Sequence, residues 1–272
     1  MILLSDPAGI ARGGSSTMEL EQVRAWAHEA GAIGLGYYNA VEVRRKPDRS
    51  VVTAADVEIE QLLRARIRDT YPQHGILGEE GSQHHTDAEY LWVIDPIDGT
   101  GAFVSGLPIW GISIGLLQRG HAVLGCFYMP VLDEWYEADL SGPALFNGQP
   151  IEVLRDGLLD SEAWICVPSN IHRRYSIDYP GKVRSLGSMA AYVSYVARGT
   201  AVGALLGRPK LWDIAAGMAV LERAGGGARL LHSQRPLDLR TMLAGQSAPE
   251  PVVVGSSPAL DMLLKRIRIR GR

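Results

Sequence analysis

From Glu19 the apolar positions Leu20, Val23, Trp26, Ala27, Ala30 and Ile33 recur every three or four residues, the repeat of a helix with one buried face. Val57, Ile59, Leu62, Leu63 and Ile67 repeat that spacing and predict a second helix after "VVTAAD". The pattern then shortens. "LWVI", "GISIGLL", "AVLGCFYM" and "EWYEA" are short apolar or alternating runs divided by Gly, Pro and Asp, which predicts an antiparallel-rich sheet with helices packed on it. After "NGQPIEV" the order changes to strand "AWICV", helix "SMAAYVSYVAR", strand "AVGALLG", helix "DIAAGMAVLERA", strands "ARLL" and "VVVG", and a last helix from Ser257. Strand and helix alternate there, as in α/β proteins. The expected organisation is an α+β half over 18–150 and an α/β half over 151–272, meeting at a seam within one body. Residues 1–17 end in a Gly/Ser cluster and read as a loose tail or a misplaced start.

Length and composition narrow the partners. The chain has 272 residues, 46% hydrophobic and 21% charged, enough for a substantial core. A formal net charge of −3 argues against a general binder of nucleic acid or anionic membrane, whose surfaces carry basic excess. A small molecule is the expected partner. Cys126 and Cys166 both fall inside apolar runs and read as buried thiols in a reducing compartment. No apolar stretch reaches the roughly 20 residues that span a bilayer, and the first residues lack a signal-peptide layout, so the expected location is the cytoplasm.

The chemistry concentrates in "LWVIDPIDGT". Asp95 follows four apolar residues at the end of a buried strand, Pro96 biases it toward extended backbone, and Asp98 is expected beyond a turn. Taken alone, the stretch is first a turn aspartate followed by a helix cap, because Asp and Gly dominate turns. Two carboxylates this close, however, repel unless something positive lies between them, and a divalent metal suits that place. If Thr100 opens a helix, the N–H groups of Gly99, Thr100 and Gly101 face any anion the metal holds. Further acids stand at element ends: Glu79 and Glu80 in "ILGEEG", Asp56 closing "VVTAAD", and Asp213 in "LWDIAAG" beside the small residues Ala215, Ala216 and Gly217. Each alone is an N-cap or an exposed acid.

As a set, "VTAAD", "GEE", "WVIDPIDGT", "NG" at Asn147–Gly148, "GS" at Gly187–Ser188 and "WDIAAG" resemble the inositol monophosphatase family, the magnesium-dependent, lithium-sensitive phosphatases of small phosphate esters. The resemblance runs from about Glu19 to Ala224. It implies a layered αβαβα sandwich, usually paired as a homodimer, and two or three Mg2+ ions. It also implies roles. Glu79, Asp95, the Ile97 carbonyl and Thr100 match the surroundings of one magnesium, and Asp95, Asp98 and Asp213 those of a second. Asp56 and Thr100, with Glu79, match the groups that activate water, while Gly99, Thr100, Gly101 and Ser188 match the substrate side.

The chain also departs from that pattern. Gly101 and Ala102 stand where many members carry side-chain donors, and Leu206 occupies the place, seven residues before Asp213, where inositol phosphatases carry an acid that grips hydroxyls. "FVSGLP" followed by Gly111 is similar to the histidinol-phosphatase branch. Arg208 and Lys210 could flank a more anionic substrate, although a solvated loop is the simpler account. The expected function is hydrolysis of a small phosphate monoester. Its alternatives are a histidinol-phosphate, sugar-bisphosphate or 3′-phosphoadenosine phosphatase, and a regulatory dimer without catalysis.

Overall fold

The computed structural model describes residues 16–40, 43–45, 51–81 and 83–270. Helix α1 (Ser16–Tyr37) leads to a small ribbon of β1 (Val43–Arg45) and β2 (Val51–Thr53), then α2 (Ala54–Thr70). Next come β3 (Gly75–Gly78), β4 (Gln83–His84) and β5 (Tyr90–Asp98), the short α3 (Thr100–Val104), and β6 (Gly111–Gln118), β7 (His121–Met129), β8 (Glu134–Ala138), β9 (Leu145–Phe146) and β10 (Gln149–Pro150). The remainder is β11 (Trp164–Cys166), β12 (Tyr175–Ile177), β13 (Lys182–Arg184), α4 (Met189–Ala197), β14 (Gly203–Leu206), α5 (Leu211–Arg223), β15 (Gly227–Leu230), β16 (Val252–Gly255), α6 (Ser257–Arg266) and β17 (Ile267–Ile269).

Strands β3 to β10 form an eight-stranded sheet in the order β10-β9-β8-β7-β6-β5-β3-β4, antiparallel except for the β3–β5 pair. A five-stranded sheet has the order β13-β11-β14-β16-β15. Helices α1 and α2 cover one face of the first sheet, α4 and α5 lie between the sheets, and α6 covers the far face of the second. The result is the five-layered αβαβα sandwich. The apolar run of β5 follows from this layering: Trp92 and Ile94 pack toward α1 and α2 with Trp26, Ile59 and Leu63, while Leu91 and Val93 pack toward α4 and α5 with Val193 and Ile214. A strand buried on both faces needs no polar alternation.

Four details differ from the expectation. Helix α2 starts before Asp56, because Thr53 is its N-cap and Asp56 its third residue, joined by a reciprocal capping box. Strand β5 continues through Asp98. The second sheet is mixed, with β11 parallel to β13 and β14 but β16 antiparallel to both its neighbours. After α6 the alternating "IRI" pairs with β12 as an extra ribbon. Of the expected tail over 1–17, only Ser16 and Thr17 are described, and they open α1; the rest lies outside the described residues.

Helix α5 approaches the first sheet by its backbone. A Cβ on Gly115 would lie 2.8 Å from the Ala216 nitrogen, and one on Gly125 would run into the Ala216 carbonyl oxygen. On its other side Gly217 meets Val193 of α4, where a Cβ would lie 2.9 Å from the valine side chain. This contact sets how far the start of α5 stands from the end of β5. Gly125→Ala should therefore destabilise the protein by about 1–3 kcal/mol through overpacking, with the unfolding midpoint in urea falling accordingly. An unchanged midpoint would show that α5 can move off the sheet at little cost.

Candidate active site and metal centre

In a regular strand, residues three apart point to opposite faces, so Asp95 and Asp98 should diverge. Asp95 pairs with Ser113 and Asp98 with Gly111, three steps on β5 against two on β6: a bulge holds one extra residue. Pro96 lacks an N–H for the ladder, and the Ile97 N–H turns back to Asp95 Oδ1 at 3.1 Å. The extra residue brings Asp98 round to the side of Asp95. Carboxylate oxygens of Asp95, Asp98 and Asp213 then lie within 4.8 Å of one another. The chain leaves the bulge through Gly99, whose φ of +90° suits glycine, and whose absent Cβ would lie 3.0 Å from the Ser188 Cβ.

Each aspartate is steadied by a main-chain donor. Lys210 N–H donates to Asp213 Oδ2 at 2.6 Å, and Ala190 N–H to Asp98 Oδ1 at 3.1 Å. Asp56 Oδ2 accepts from the Thr53 N–H at 2.8 Å and the Thr53 hydroxyl at 2.5 Å, which leaves Oδ1 facing the Thr100 hydroxyl at 3.5 Å. That hydroxyl also lies 3.1 Å from the Ile97 carbonyl oxygen. Glu79 sits at the end of β3, its N–H on the Ile94 carbonyl at 3.3 Å. Asp95, Asp98 and Asp213 thus converge, the Asp56–Thr100–Ile97 contacts join α2 to the end of β5, and Glu79 is near enough for its charge to act on all four aspartates.

Ser188 is engaged within the protein. It is buried as the N-cap of α4, accepting the Ala191 N–H at 3.0 Å and donating its hydroxyl to Asp98, so its side chain supports a carboxylate. Arg208 and Lys210 are not simply solvated: Arg208 Nε and Lys210 Nζ each donate at 2.8 Å, to the carbonyls of Ala248 and Gly245 respectively, and so pin the 245–248 segment beside Trp212. Glu60, absent from the sequence-based set, is 4% exposed beside Glu80; an acid four residues after Asp56, on the same helical face, was its signal.

The electrostatics favour a cation. Burial, then the charges of Glu79, Asp98, Asp213 and Asp56, push the Asp95 carboxyl well above its ordinary range. Asp213 is raised likewise by burial and by Asp98. Burial raises Asp98 to about 7 against the opposing bonds from Ser188 and Ala190, and Asp56 to about 6 against those from Thr53. An all-oxygen, all-acidic donor set of this kind fits a hard divalent ion.

Residues 18–257 match the inositol monophosphatase family. The chain belongs to that family. As an inositol monophosphatase family member it is a phosphoric monoester hydrolase of a metal-dependent kind. It is 33% identical over 224 residues to the histidinol-phosphatase of Chlorobaculum parvum, covering 77% of this chain and 85% of that one. It is 35% identical over 189 residues to the fructose-1,6-bisphosphatase/inositol-1-monophosphatase of Thermotoga maritima, covering 65% and 70%. Among solved structures, the Thermotoga maritima IMPase superposes with a TM-score of 0.80 at 27% identity over 91% of this chain and 96% of that one. Among the described residues no helix of this phosphatase is long and apolar enough to cross a membrane.

The raised carboxyls set a pH dependence. A carboxyl whose folded pKa exceeds its unfolded value stabilises the fold below the unfolded value and loses that contribution as pH rises through the folded one. For Asp56 and Asp98 that rise ends near 6 and 7. In chelator, the protein should melt lower at about pH 8 than at about pH 5, and Asp95→Asn should raise stability at the higher pH by on the order of 1–3 kcal/mol. A wild-type melting temperature that is flat across that range would contradict the assignment.

Proposed function

We propose that the protein is a magnesium-dependent phosphatase that hydrolyses a small phosphate monoester by in-line attack of water, without a phosphoenzyme. The observation that carries this reading is the convergence of the Asp95, Asp98 and Asp213 carboxylates beside the Thr100–Asp56 contact. Glu79, Asp95, the Ile97 carbonyl, Asp98 and Asp213, with Thr100, would hold two or three ions. Magnesium bound there supplies positive charge against the phosphate and makes nearby water more acidic. Thr100 and Asp56 then orient that water. Oδ2 of Asp56 is engaged by Thr53, so Oδ1 is the oxygen that takes the Thr100 proton, and Thr100 in turn presents a lone pair to the water. The water oxygen forms the new P–O bond while the ester P–O bond opposite breaks, and the departing alkoxide takes a proton from solvent. The N–H groups of Gly99, Thr100 and Gly101 face the phosphate oxygens. In this reading 18–150 is the metal-binding half, 151–272 completes the site with Asp213, and the enzyme works as a cytoplasmic homodimer.

The best substrate is a small ester other than inositol 1-phosphate. Leu206 is fully buried in β14, packed in the core with apolar neighbours, so the position of the hydroxyl-gripping acid carries no acceptor. Histidinol phosphate is the second reading, supported by "FVSGLP" and by a histidinol-phosphatase among the relatives.

Phosphate release from a panel of monoesters and bisphosphates, with magnesium and with or without lithium, tests both readings. Inositol 1-phosphate should fall below the best substrate in kcat/KM; finding it first would remove Leu206 as a determinant. On the best substrate, Asp95→Asn should lose more turnover than any other single carboxylate change. Thr100→Val should lower kcat by on the order of 100-fold while Thr100→Ser retains most of it. Equal activity of the valine and wild-type enzymes would take Thr100 out of the proton path.

A further inference from the structure

Glu60 stands one helical turn beyond Asp56 on α2, so the two side chains leave the helix on the same side. Its Oε2 accepts the main-chain N–H of Glu80 at 2.7 Å. The same carboxylate lies flat against Gly78: a Cβ there would be 2.5 Å from Oε2, 2.7 Å from Cδ and 3.0 Å from Oε1. Gly78 is not among the residues with positive φ, so a side chain there would meet the Glu60 carboxylate and not an unusual backbone. Glu79 is therefore gripped on both sides. Its own N–H reaches the Ile94 carbonyl on β5 at 3.3 Å, and the next N–H reaches Glu60.

We infer that Glu60 is a positioning residue: by holding the Glu80 N–H across the bare Cα of Gly78, it fixes where the chain leaves β3 and so aims the Glu79 carboxylate into the cluster around Asp95. Glu79 is close enough to that cluster that its charge acts on Asp56, Asp95, Asp98 and Asp213 alike. The inference rests on the reading of Glu79 as a metal ligand. Groups that orient a ligand without touching the ion affect affinity by about 10–100-fold, and Glu60 acts at that remove.

Two measurements that do not depend on turnover test it: hydrogen exchange of the Glu80 amide in chelator, and calorimetric titration of the metal-free protein with magnesium chloride. Glu60→Ala should release the Glu80 amide to faster exchange and weaken magnesium binding by about tenfold. Glu60→Gln keeps a carbonyl acceptor and should stay within about twofold of wild type. Gly78→Ala leaves the acid in place but drives it off the strand, and should weaken binding as Glu60→Ala does. Unchanged magnesium affinity in Glu60→Ala would overturn the inference, as would a glutamine variant as impaired as the alanine one. If Glu60→Ala does not fold, Gly78→Ala carries the test, and wild-type affinity there overturns it. A wild type that binds no magnesium would instead overturn the metal reading, and this inference with it.

Discussion

Like charges withheld from water govern this structure. Asp56, Asp95, Asp98 and Asp213 are all buried, and among the described residues no arginine or lysine side chain bridges them. Burying an unpaired carboxylate costs several kcal/mol in proteins, so each must be compensated nearby. Compensation comes from the main chain: Thr53, Ile97, Ala190 and Lys210 each point an N–H at one of the four. Peptide dipoles solvate the charges without neutralising them. They offset burial only in part, so the carboxyls are raised in the metal-free protein; the geometry is tied to helix starts and a strand bulge, and the remaining lone pairs are left for a cation.

Much of this was legible along the chain, and what was not has a common cause. The β5, β6, β7 and β8 runs and helices α4 and α5 follow from local periodicity, because a strand buried on both faces and a helix packed on two sides leave continuous apolar signals. The bulge in β5 does not: it exists only in the register with β6, as the offset of Asp95 and Asp98 against Ser113 and Gly111. The same holds for Ser188, whose hydroxyl finds Asp98 across 90 residues of sequence, and for Arg208 and Lys210, whose carbonyl partners lie well downstream. The start of α2 was a local error. Thr53 and Asp56 form a capping box visible in "TAAD", and reading Asp56 as the residue before the helix missed its place within the first turn.

Small residues connect the site to the body of the protein. Gly115 and Gly125 let α5 lie on the sheet by its backbone, so Asp213 is set against Asp95 by a contact between two rigid elements with no flexible side chain between them. At Gly78 the close approach is of another kind: the end of the Glu60 side chain lies against the end of β3. Leu206 turns inward to the core, and the 245–248 segment is tied to the loop before α5 by Arg208, by Lys210 and by the Ala248 N–H on the Pro209 carbonyl.

The split origin of the carboxylates also bears on how the chain reaches its native state. Asp56, Asp95 and Asp98 arrive early in synthesis on α2 and β5, whereas Asp213 comes with α5, which crosses back onto the first sheet after the second has begun. Closing so long a loop is an entropic penalty met before any contact it permits can compensate. A partly made or partly folded chain thus carries acids that repel one another and lacks the residue that completes their cage. A divalent ion that bound the finished arrangement and not the open chain would pull that equilibrium by mass action. In that case the cation that would serve chemistry in the finished enzyme would also favour its completed assembly.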